Sequence, residues 1–545
     1  MISMFDYGFK KKILFIFYLI LITLVFLIYD DYGIHIEEKF HRSNGLYWLN
    51  YVSNLFGFSE IEQITKIKLQ EISDYSLSAV THYNKYGILL DLPAALIEIM
   101  FKIDDVKDVY YLKHILSYFL FILSSLFFFK ILQKRFNNFL FSFLGLFLYI
   151  TTPRIFGDSF LYKDVLFLSF FCINFYFLIE SLEKFNYKNL FIFSIFCSFS
   201  INLRFFAILV PLVFIFLVLI KNSNVEKFLE NLKKIFFFIS ILLISLYFFW
   251  PYLWSDPLNN FFELFTSAKS DLINIKILYD SEFISNRLLP DSYILNWILI
   301  TSPTLQIIFF LIGYLYCLLR FLRRFVKIKD EPFHNDLWRG SKEQLDFVFL
   351  LFFTLYYFFF ILLNAPLYNG WRLVYFLNIF LIYFTINFLF NFKIIYKVKN
   401  FAIKFIAFFL ITHNIYTLIK MHPFQSLYFS SLASKNSYEG DYHGISTKNF
   451  YEKILKEDKS KIIKVAVASH TPIQRGLESI PKIYRGTFQI VGQEYHLSDY
   501  IYKNNISEVN SKLIKKYQVP ENFNKIYELK IDKLVIYEIY KRTKN

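Results

Sequence analysis

Eleven apolar stretches, each long enough or nearly long enough to cross a bilayer, constrain this chain more than any other feature. A helix rises about 1.5 Å per residue, so about 20 residues cross the hydrocarbon core of about 30 Å. Hydrophobic residues make up 56% of the chain, against about 45–50% in globular proteins. The sequence therefore predicts a polytopic α-helical membrane protein of about 11 transmembrane helices. The stretches are 12–29, 110–129, 138–152, 163–180, 188–203, 205–220, 234–252, 294–319, 346–363, 372–391 and 400–419.

The positions of the cations predict the orientation in the membrane. The net charge of +15 would suggest nucleic acid as a partner in a soluble chain, but here Lys and Arg lie mainly in alternate short loops. Such loops face the cytoplasm. We therefore expect a cytoplasmic N-terminus that acts as a signal anchor, an external C-terminus and no nucleic-acid partner. The cation-rich loops are 130–135, 184–188, 221–234, 320–327 and 393–399, and the cation-poor loops are 151–162, 253–293 and 364–371.

The hydropathy changes at Met421, which predicts two domains. Residues 1–421 form the predicted transmembrane domain, with a long first external loop at 30–109. Its apolar segment Gly87–Met100 is too short to span and is expected to lie at the membrane interface. Residues 422–545 are expected to form a small external α/β domain. Strands are predicted within 461–469, 487–495, 527–531 and 533–540, and a helix over Lys448–Lys456.

Several motifs of soluble enzymes are missing from the sequence. It holds no Walker motif, no dinucleotide-binding fingerprint, no HExxH zinc motif and no nucleophile elbow. These absences argue against an ATP-driven or nicotinamide-dependent reaction.

Ionisable residues concentrate in the first external loop, directly after the first apolar stretch. The segment DDYGIHIEEKFHRSNGLYW contains Glu37, Glu38, His41 and Arg42. If a helix begins near Glu37, Glu37 and His41 share one face, since they are four residues apart. A carboxylate in this place could accept a proton, although a solvated loop that marks the membrane exit would have the same composition.

The second external loop, TTPRIFGDSFLYKD, carries Arg154, Asp158, Lys163 and Asp164 beside two helix ends. A loop this short keeps its side chains near the bilayer surface. Alternating charges there suit a phosphate headgroup together with a metal or hydroxyl partner. The alternative is a simple connector between helices.

Three further residues are candidate ligands of an anion. Arg372 enters the membrane beside Trp371, although an Arg among aromatic residues is more often an interfacial anchor. Arg204 has no acidic neighbour in sequence and therefore needs either a partner in space or an anionic ligand. His422 follows the last apolar stretch, where a lone histidine is usually structural.

Together these segments resemble integral-membrane glycosyltransferases of the GT-C superfamily, particularly bacterial relatives of the protein O-mannosyltransferases and the aminoarabinose transferase (glycosyltransferase family 39-like). In that family an Asp-Glu pair opens the first external loop, and IEEKFHRSNGLYW is similar to it, with Glu37 in the place of the leading Asp. PRIFGDSFLYKD resembles the second loop, with Asp164 as its acidic residue. YNGWRLVYFL looks like the helix whose Arg lies near the donor phosphate, and MHPFQSLYFS with GDYHGIS resembles the junction into an outer domain.

The resemblance implies an inverting transfer of a hexose or pentose from a polyprenyl-phosphate donor to an extracytoplasmic acceptor at a bacterial plasma membrane. Such a displacement needs one carboxylate as base and cations for the leaving phosphate. A bound divalent metal ion could also stabilise that phosphate. Glu37, Glu38 and Asp164 are the candidate catalytic residues, with Glu37 favoured. The expected substrate-binding residues are His41, Arg42, Arg154, Asp158, Lys163, Arg204, Arg372 and His422.

Two other functions remain open at the level of the sequence. A transporter or flippase of a lipid-linked glycan would also need many spans and external cations, but it is expected to place ionisable groups near the midplane. An inactive accessory subunit is the third possibility, because Glu37 replaces the Asp that the resemblance implies.

Overall fold

The computed structural model describes residues 2–72, 85–220, 225–270, 276–326, 340–434, 437–504, 517–532 and 534–543. Part of the predicted first loop (73–84) and parts of two cation-rich loops (221–224 and 327–339) lie outside the described residues. The chain is mostly helical, with two small sheets. The helices are α1 (Ile2–Ile28), α2 (Glu38–Phe56), α3 (Ser59–Glu71), α4 (Asp91–Met100), α5 (Val106–Phe136), α6 (Phe139–Thr151), α7 (Pro153–Asp158), α8 (Asp164–Glu183), α9 (Tyr187–Leu203), α10 (Leu209–Ile220), α11 (Val225–Phe249), α12 (Pro257–Ser270), α13 (Tyr293–Thr301), α14 (Thr304–Val326), α15 (Ser341–Leu362), α16 (Asn378–Ile395), α17 (Asn400–Met421), α18 (Thr447–Glu457), α19 (Gln474–Ser479) and α20 (Lys482–Arg485).

The chain is a multi-pass membrane protein, as predicted. Within the described residues, eight helices are long and apolar enough to cross a bilayer. They match eight of the eleven predicted stretches. These spans are Gly8–Ile28, Val106–Phe136, Asp164–Glu183, Phe228–Phe249, Thr304–Arg323, Ser341–Leu362, Arg372–Ile395 and Asn400–Met421.

The other three predicted stretches form shorter helices. They are α6, α9 and the segment Phe205–Ile220, in which a 3-10 turn leads into α10. The 13 residues of α6 would extend only about 20 Å at the helical rise. Charged residues of the first and second external loops can therefore lie deeper in the fold than the ends of the long helices.

A proline divides one predicted stretch. The sequence predicts a continuous span over 294–319, whereas the structure ends α13 at Thr301 and begins α14 at Thr304. Pro303 stands at this break. Proline disfavours helical backbone in the residue before it and lacks an N–H donor, so it begins a new helix rather than continuing one.

The centre of the bundle is formed by α8 and α16, most of whose side chains are buried. Aromatic rings fill the space around them. Phe171 of α8 lies 4.6 Å from Phe376 between ring centroids, and Phe349 stacks on Tyr383 at 3.5 Å. Phe175 of α8 also lies 5.4 Å from Phe380 of α16 between ring centroids, so the helix after the second external loop packs against the helix that follows Arg372.

The first loop folds back onto the protein. Helix α4 buries Asp91, Ala95 and Glu98 against α2, and Gly45 of α2 is needed there because a Cβ would clash with the backbone of Asp91. Met100 and the following Phe101 are exposed. The predicted interfacial segment Gly87–Met100 thus has one face on the protein and an apolar end that remains exposed.

After α17 ends at Met421, the chain forms a small α/β unit. Its five-stranded sheet has the order β4-β3-β5-β7-β6, in which β3, β4 and β5 are parallel and β5, β7 and β6 are antiparallel. An antiparallel hairpin, β1-β2, lies earlier in the chain. The strands are β1 (Lys276–Tyr279), β2 (Glu282–Ser285), β3 (Ile463–Val467), β4 (Phe488–Ile490), β5 (Tyr500–Lys503), β6 (Phe523–Ile531) and β7 (Leu534–Arg542).

An ion-pair network closes the bundle at the end opposite the first loop. Asp346 of α15 accepts hydrogen bonds from Arg135 Nε at 2.6 Å and Nη2 at 2.8 Å, from the Tyr383 hydroxyl at 2.6 Å and from Asn387 at 2.8 Å. Asp346 and Arg135 are both buried. This network ties together α5, α15 and α16.

We expect Asp346→Ala to lower the thermal unfolding midpoint of the detergent-solubilised protein strongly. Removing one partner of a buried ion pair costs about 3–5 kcal/mol, because the other charge is left uncompensated. Glu230→Gln is the control, since Glu230 pairs with Lys234 at 2.7 Å on the surface and its side chain is 62% exposed. Such exposed pairs contribute little to stability. Equal midpoints for the two variants would mean that the Asp346 network does not stabilise the bundle.

Candidate functional site

Five charged residues from four separate segments meet at the end of the bundle that carries the first loop. We call them the ionic cluster. Helix ends position them: Glu37 precedes α2, Lys163 and Asp164 stand at the start of α8, Arg204 follows α9, and Arg372 opens the 3-10 turn before α16. The structure therefore brings together five of the residues that the sequence singles out.

Arg372 is the centre of the ionic cluster. Its Nη2 donates to Glu37 Oε1 at 2.7 Å, and its Nη1 lies 3.5 Å from Asp164 Oδ2. Arg204 Nη2 reaches the other oxygen of Asp164 at 2.5 Å, and Lys163 pairs with Glu37. Arg204, which has no acidic neighbour in sequence, thus finds its partner in space.

The cluster is buried unevenly. The side chains of Arg372 and Asp164 are 3% and 5% exposed, whereas that of Glu37 is 24% exposed. Ligands would therefore approach from the side of Glu37. Three cations face two carboxylates, which leaves one positive charge in excess.

Aromatic rings hold the guanidinium of Arg372 in place. It lies 5.5 Å from the ring centroid of Tyr368 and 5.0 Å from that of Tyr442. Tyr442 belongs to the segment after Met421, so the C-terminal region contributes directly to the site. Cation–π contacts of this kind fix the orientation of a buried guanidinium.

A second group, Asp158, His35 and His443, adjoins the ionic cluster. The two imidazole centroids are 4.2 Å apart, and His443 Nε2 lies 3.8 Å from Asp158 Oδ1. Burial raises the pKa of Asp158 to about 7, against the opposing effects of Tyr375 and Arg154. This carboxyl group therefore titrates near neutral pH, unlike an ordinary aspartate.

Arg154 lies behind this group. Its Nε donates to the backbone oxygen of Tyr428 at 2.9 Å, and its guanidinium lies 4.7 Å from the ring centroid of Phe429 and 5.4 Å from that of Trp297. These contacts attach Arg154 to the segment that follows α17. Burial lowers the pKa of the Arg154 guanidinium.

Glu38 lies apart from the ionic cluster. Its carboxylate is fully buried and meets His114 Nε2 at 3.0 and 3.2 Å, and it also accepts a hydrogen bond from the backbone N–H of His35 at 3.1 Å. The neighbouring residues Glu37 and Glu38 thus point to different surroundings. The geometry favours Glu37 as the carboxylate that a substrate could reach.

Two other predicted ligands also have partners outside the cluster. His41 Nδ1 lies 3.0 Å from Asp91 Oδ2. Arg42 makes two hydrogen bonds to Glu98, at 2.7 and 3.1 Å. Both pairs join α2 to α4 and stabilise the first loop.

His422 also lies outside the ionic cluster. It pairs with Asp31 at 2.8 Å and lies 3.2 Å from the side-chain nitrogen of Gln425. The contact joins the end of α1 to the end of α17. It is the structural arrangement that a lone histidine after a helix usually has.

Sequence reasoning missed His35, Tyr442 and His443 as site residues. The segments YGIHIEE and GDYHGIS contain them, and both lie in the predicted external regions. The available signal was a histidine close to a glycine in each of these two segments. Their proximity depends on the packing of the C-terminal segment against the first loop, which periodicity does not reveal.

The ionic cluster does not offer an evident metal site. Among the described residues, no three or more His, Cys, Asp or Glu side chains are grouped so that they could hold a metal ion. Glu37 and Asp164 instead pair with Arg and Lys. Cations from the chain itself are thus the groups available to an anionic substrate.

Comparison with known proteins finds similarity in structure but none in sequence. No protein-family model matches the chain, and no curated protein matches its sequence. The structure is similar to the oligosaccharyltransferase of Archaeoglobus fulgidus, solved with a tethered acceptor peptide containing the NVT sequon, with a TM-score of 0.38 and 11% sequence identity. The match covers 76% of this chain and 56% of the archaeal chain, so this chain spans little more than half of that protein.

Proposed function

We propose that this chain is a membrane glycosyltransferase that moves a sugar from a polyprenyl-phosphate donor to a hydroxyl group of an extracytoplasmic acceptor. The observation that carries the proposal is the ionic cluster, in which Lys163, Arg204 and Arg372 converge at the helix ends of a membrane protein. Guanidinium and ammonium groups in such a place suit the phosphate of a lipid whose tail stays in the bilayer.

The charge balance of the cluster supports a phosphodiester donor. A sugar linked through a single phosphate carries one negative charge, which equals the excess positive charge of the cluster when Lys163 is protonated. When the bond to the sugar breaks, the phosphate gains negative charge that the same cations stabilise. Burial and the neighbouring Arg372 lower the pKa of Lys163, so an arriving phosphate would favour the charged form of this lysine.

Donor binding would also change the partners of Glu37. The phosphate competes for Arg372 and Lys163, the two cations that Glu37 contacts. Glu37 would then be free to accept the proton of the acceptor hydroxyl. The acceptor oxygen bonds to the anomeric carbon, and the bond from that carbon to the phosphate oxygen breaks, with its electron pair going to the phosphate. A single displacement of this kind inverts the anomeric configuration.

Asp164 has a different role in this mechanism. Both of its oxygens face guanidinium groups, those of Arg204 and Arg372. We assign it the positioning of these two cations rather than proton transfer. The proposal therefore gives Glu37 and Asp164 different roles, because their surroundings differ.

The function can be tested without knowledge of the sugar. Full-length protein in nanodiscs is supplied with a donor-lipid fraction and an acceptor fraction from its host, and free polyprenyl phosphate is measured by mass spectrometry. The proposed glycosyltransferase releases this lipid from a polyprenyl-phosphate donor whichever sugar the donor carries. A flippase would leave the donor intact, so the absence of release would favour transport over transfer.

The proposal places the site at the external face of a bacterial plasma membrane, with the C-terminal domain in the periplasm. An Ile483→Cys variant should then react with a membrane-impermeant maleimide in intact cells whose outer membrane has been permeabilised. Ile483 is 82% exposed, whereas the native Cys172, Cys197 and Cys317 are buried and serve as the unlabelled background. Labelling only after the inner membrane is broken would reverse the proposed orientation.

A further inference from the structure

Three buried polar atoms beside the ionic cluster have no hydrogen-bond partner among the described residues. They are His35 Nε2, His443 Nδ1 and Asp158 Oδ1. Each of these residues is more than nine-tenths buried. Buried polar atoms in native proteins are nearly always paired, so a group of three indicates a place where a polar ligand binds.

The three side chains border one small region. The His35 and His443 rings are 4.2 Å apart and tilted by 37°, and His443 Nε2 is 3.8 Å from the free oxygen of Asp158. The backbone also fixes this arrangement, because the N–H of Ile36 donates to the carbonyl oxygen of His443 at 3.1 Å. Gly444 permits the turn with its φ of +72°.

The backbone determines which hydrogen-bonding role His35 can take. The N–H of Glu37 donates to His35 Nδ1 at 2.9 Å. The proton of a neutral His35 ring must therefore be on Nε2, which makes this atom a donor. Asp158 supplies an acceptor nearby. The group thus offers both a donor and an acceptor, as a hydroxyl group requires.

Both imidazoles are neutral at physiological pH. Burial lowers the pKa of His35 and of His443, and the neighbouring cations lower both further. The charged and titratable groups that face His443 are Asp158, Lys163, Asp164, Arg154, Arg372 and His35. Two neutral imidazoles and a carboxyl group offer hydrogen bonds but no positive charge, so they suit a hydroxyl group better than a second anion.

We propose that His35, His443 and Asp158 form a hydroxyl-binding subsite for a sugar, next to the phosphate-binding ionic cluster. This inference rests on the proposed glycosyltransferase function. The hydroxyl belongs either to the sugar of the donor or to a sugar acceptor, and both have the same hydrogen-bonding chemistry. In either case the C-terminal segment, which carries His443, takes part in substrate recognition.

The test uses His443→Phe, which keeps an aromatic ring against His35 but removes both nitrogens. Release of polyprenyl phosphate is measured as the concentration of the donor-lipid fraction and then of the acceptor fraction is varied. We expect the half-saturating concentration of one fraction to rise about 10- to 100-fold, because a site built to bind a hydroxyl loses specific contacts. The fraction affected identifies the source of the hydroxyl. His443→Asn, which restores a polar group, should recover part of the loss.

Two controls separate this inference from the proposed function. Binding of sugar-free polyprenyl phosphate should be unchanged in His443→Phe, and His496→Phe should behave as wild type, since the His496 side chain is 72% exposed. Unchanged half-saturation for both fractions would overturn the subsite, as would an equal loss of binding to sugar-free polyprenyl phosphate. Failure of the wild type to bind or release that lipid would instead refute the proposed function.

Discussion

Glu37→Gln should abolish sugar transfer while it strengthens the binding of polyprenyl phosphate. Glutamine keeps the shape of the side chain but cannot accept the acceptor's proton, and loss of a general base typically costs about 10²- to 10⁴-fold in rate. The binding effect follows from the ion pairs, because Glu37 contacts Arg372 and Lys163, the two cations that the phosphate would need. Removing the competing carboxylate leaves both available. Binding to sugar-free lipid and release from the donor fraction measure the two effects separately.

Neighbouring carboxylates provide the controls. Glu38→Gln should retain the affinity for polyprenyl phosphate, since Glu38 pairs with His114 away from the cluster. Glu37→Asp should retain appreciable activity, because it keeps the base with one methylene fewer. An active Glu37→Gln beside an inactive Asp164→Asn would mean that Asp164 is the base. If Glu37→Gln, Glu38→Gln and Asp164→Asn all remain active, the proposed mechanism is refuted.

Arg372→Lys should weaken the binding of polyprenyl phosphate by about 10- to 100-fold, with a parallel loss of transfer. The guanidinium of Arg372 reaches Glu37 and Asp164 with different nitrogens and lies between the rings of Tyr368 and Tyr442. A lysine keeps the charge but lacks the planar fork, so it cannot reproduce these contacts together. Equilibrium binding in nanodiscs measures the change. Arg372→Gln should bind more weakly still, because it removes the charge.

Arg42→Lys is the matched control for Arg372→Lys. Arg42 is also a buried arginine with a carboxylate partner, Glu98, but it lies outside the ionic cluster. Its replacement should lower thermal stability without changing affinity for the lipid phosphate. If both variants lose affinity equally, the effect comes from general damage to the fold. If Arg372→Lys binds normally, Arg372 is an interfacial anchor after all.

The membrane architecture could be predicted from the sequence because hydropathy and helix length report directly on the bilayer. The break at Pro303 was missed, since the surrounding apolar run continues across it. In the C-terminal unit, β3, β4, β6 and β7 fall within or overlap the predicted strand segments. The short strand β5 was missed, because four residues give too little alternation to recognise.

The candidate site could be predicted only in part. Glu37, Lys163, Asp164, Arg204 and Arg372 are charged residues at helix ends, where a charge is conspicuous in an apolar chain. The separate roles of Glu37 and Glu38 could not be predicted, because adjacent residues of a helix start point in different directions. His35 and His443 meet across more than 400 residues of sequence, and no local pattern reports such a contact.

The close approach of the first loop to the C-terminal segment has a consequence for how this chain can vary. A Cβ at Gly33 would collide with the backbone of Ile445, and one at Gly444 would meet Thr471 at 2.8 Å and Ile36 at 3.1 Å. The change in hydropathy at Met421 therefore separates a membrane-embedded region from a more polar one, but both regions contribute to the candidate site. If the region after Met421 were exchanged between related chains, the matching first loop would have to be exchanged with it. We therefore expect substitutions in these two segments to be correlated.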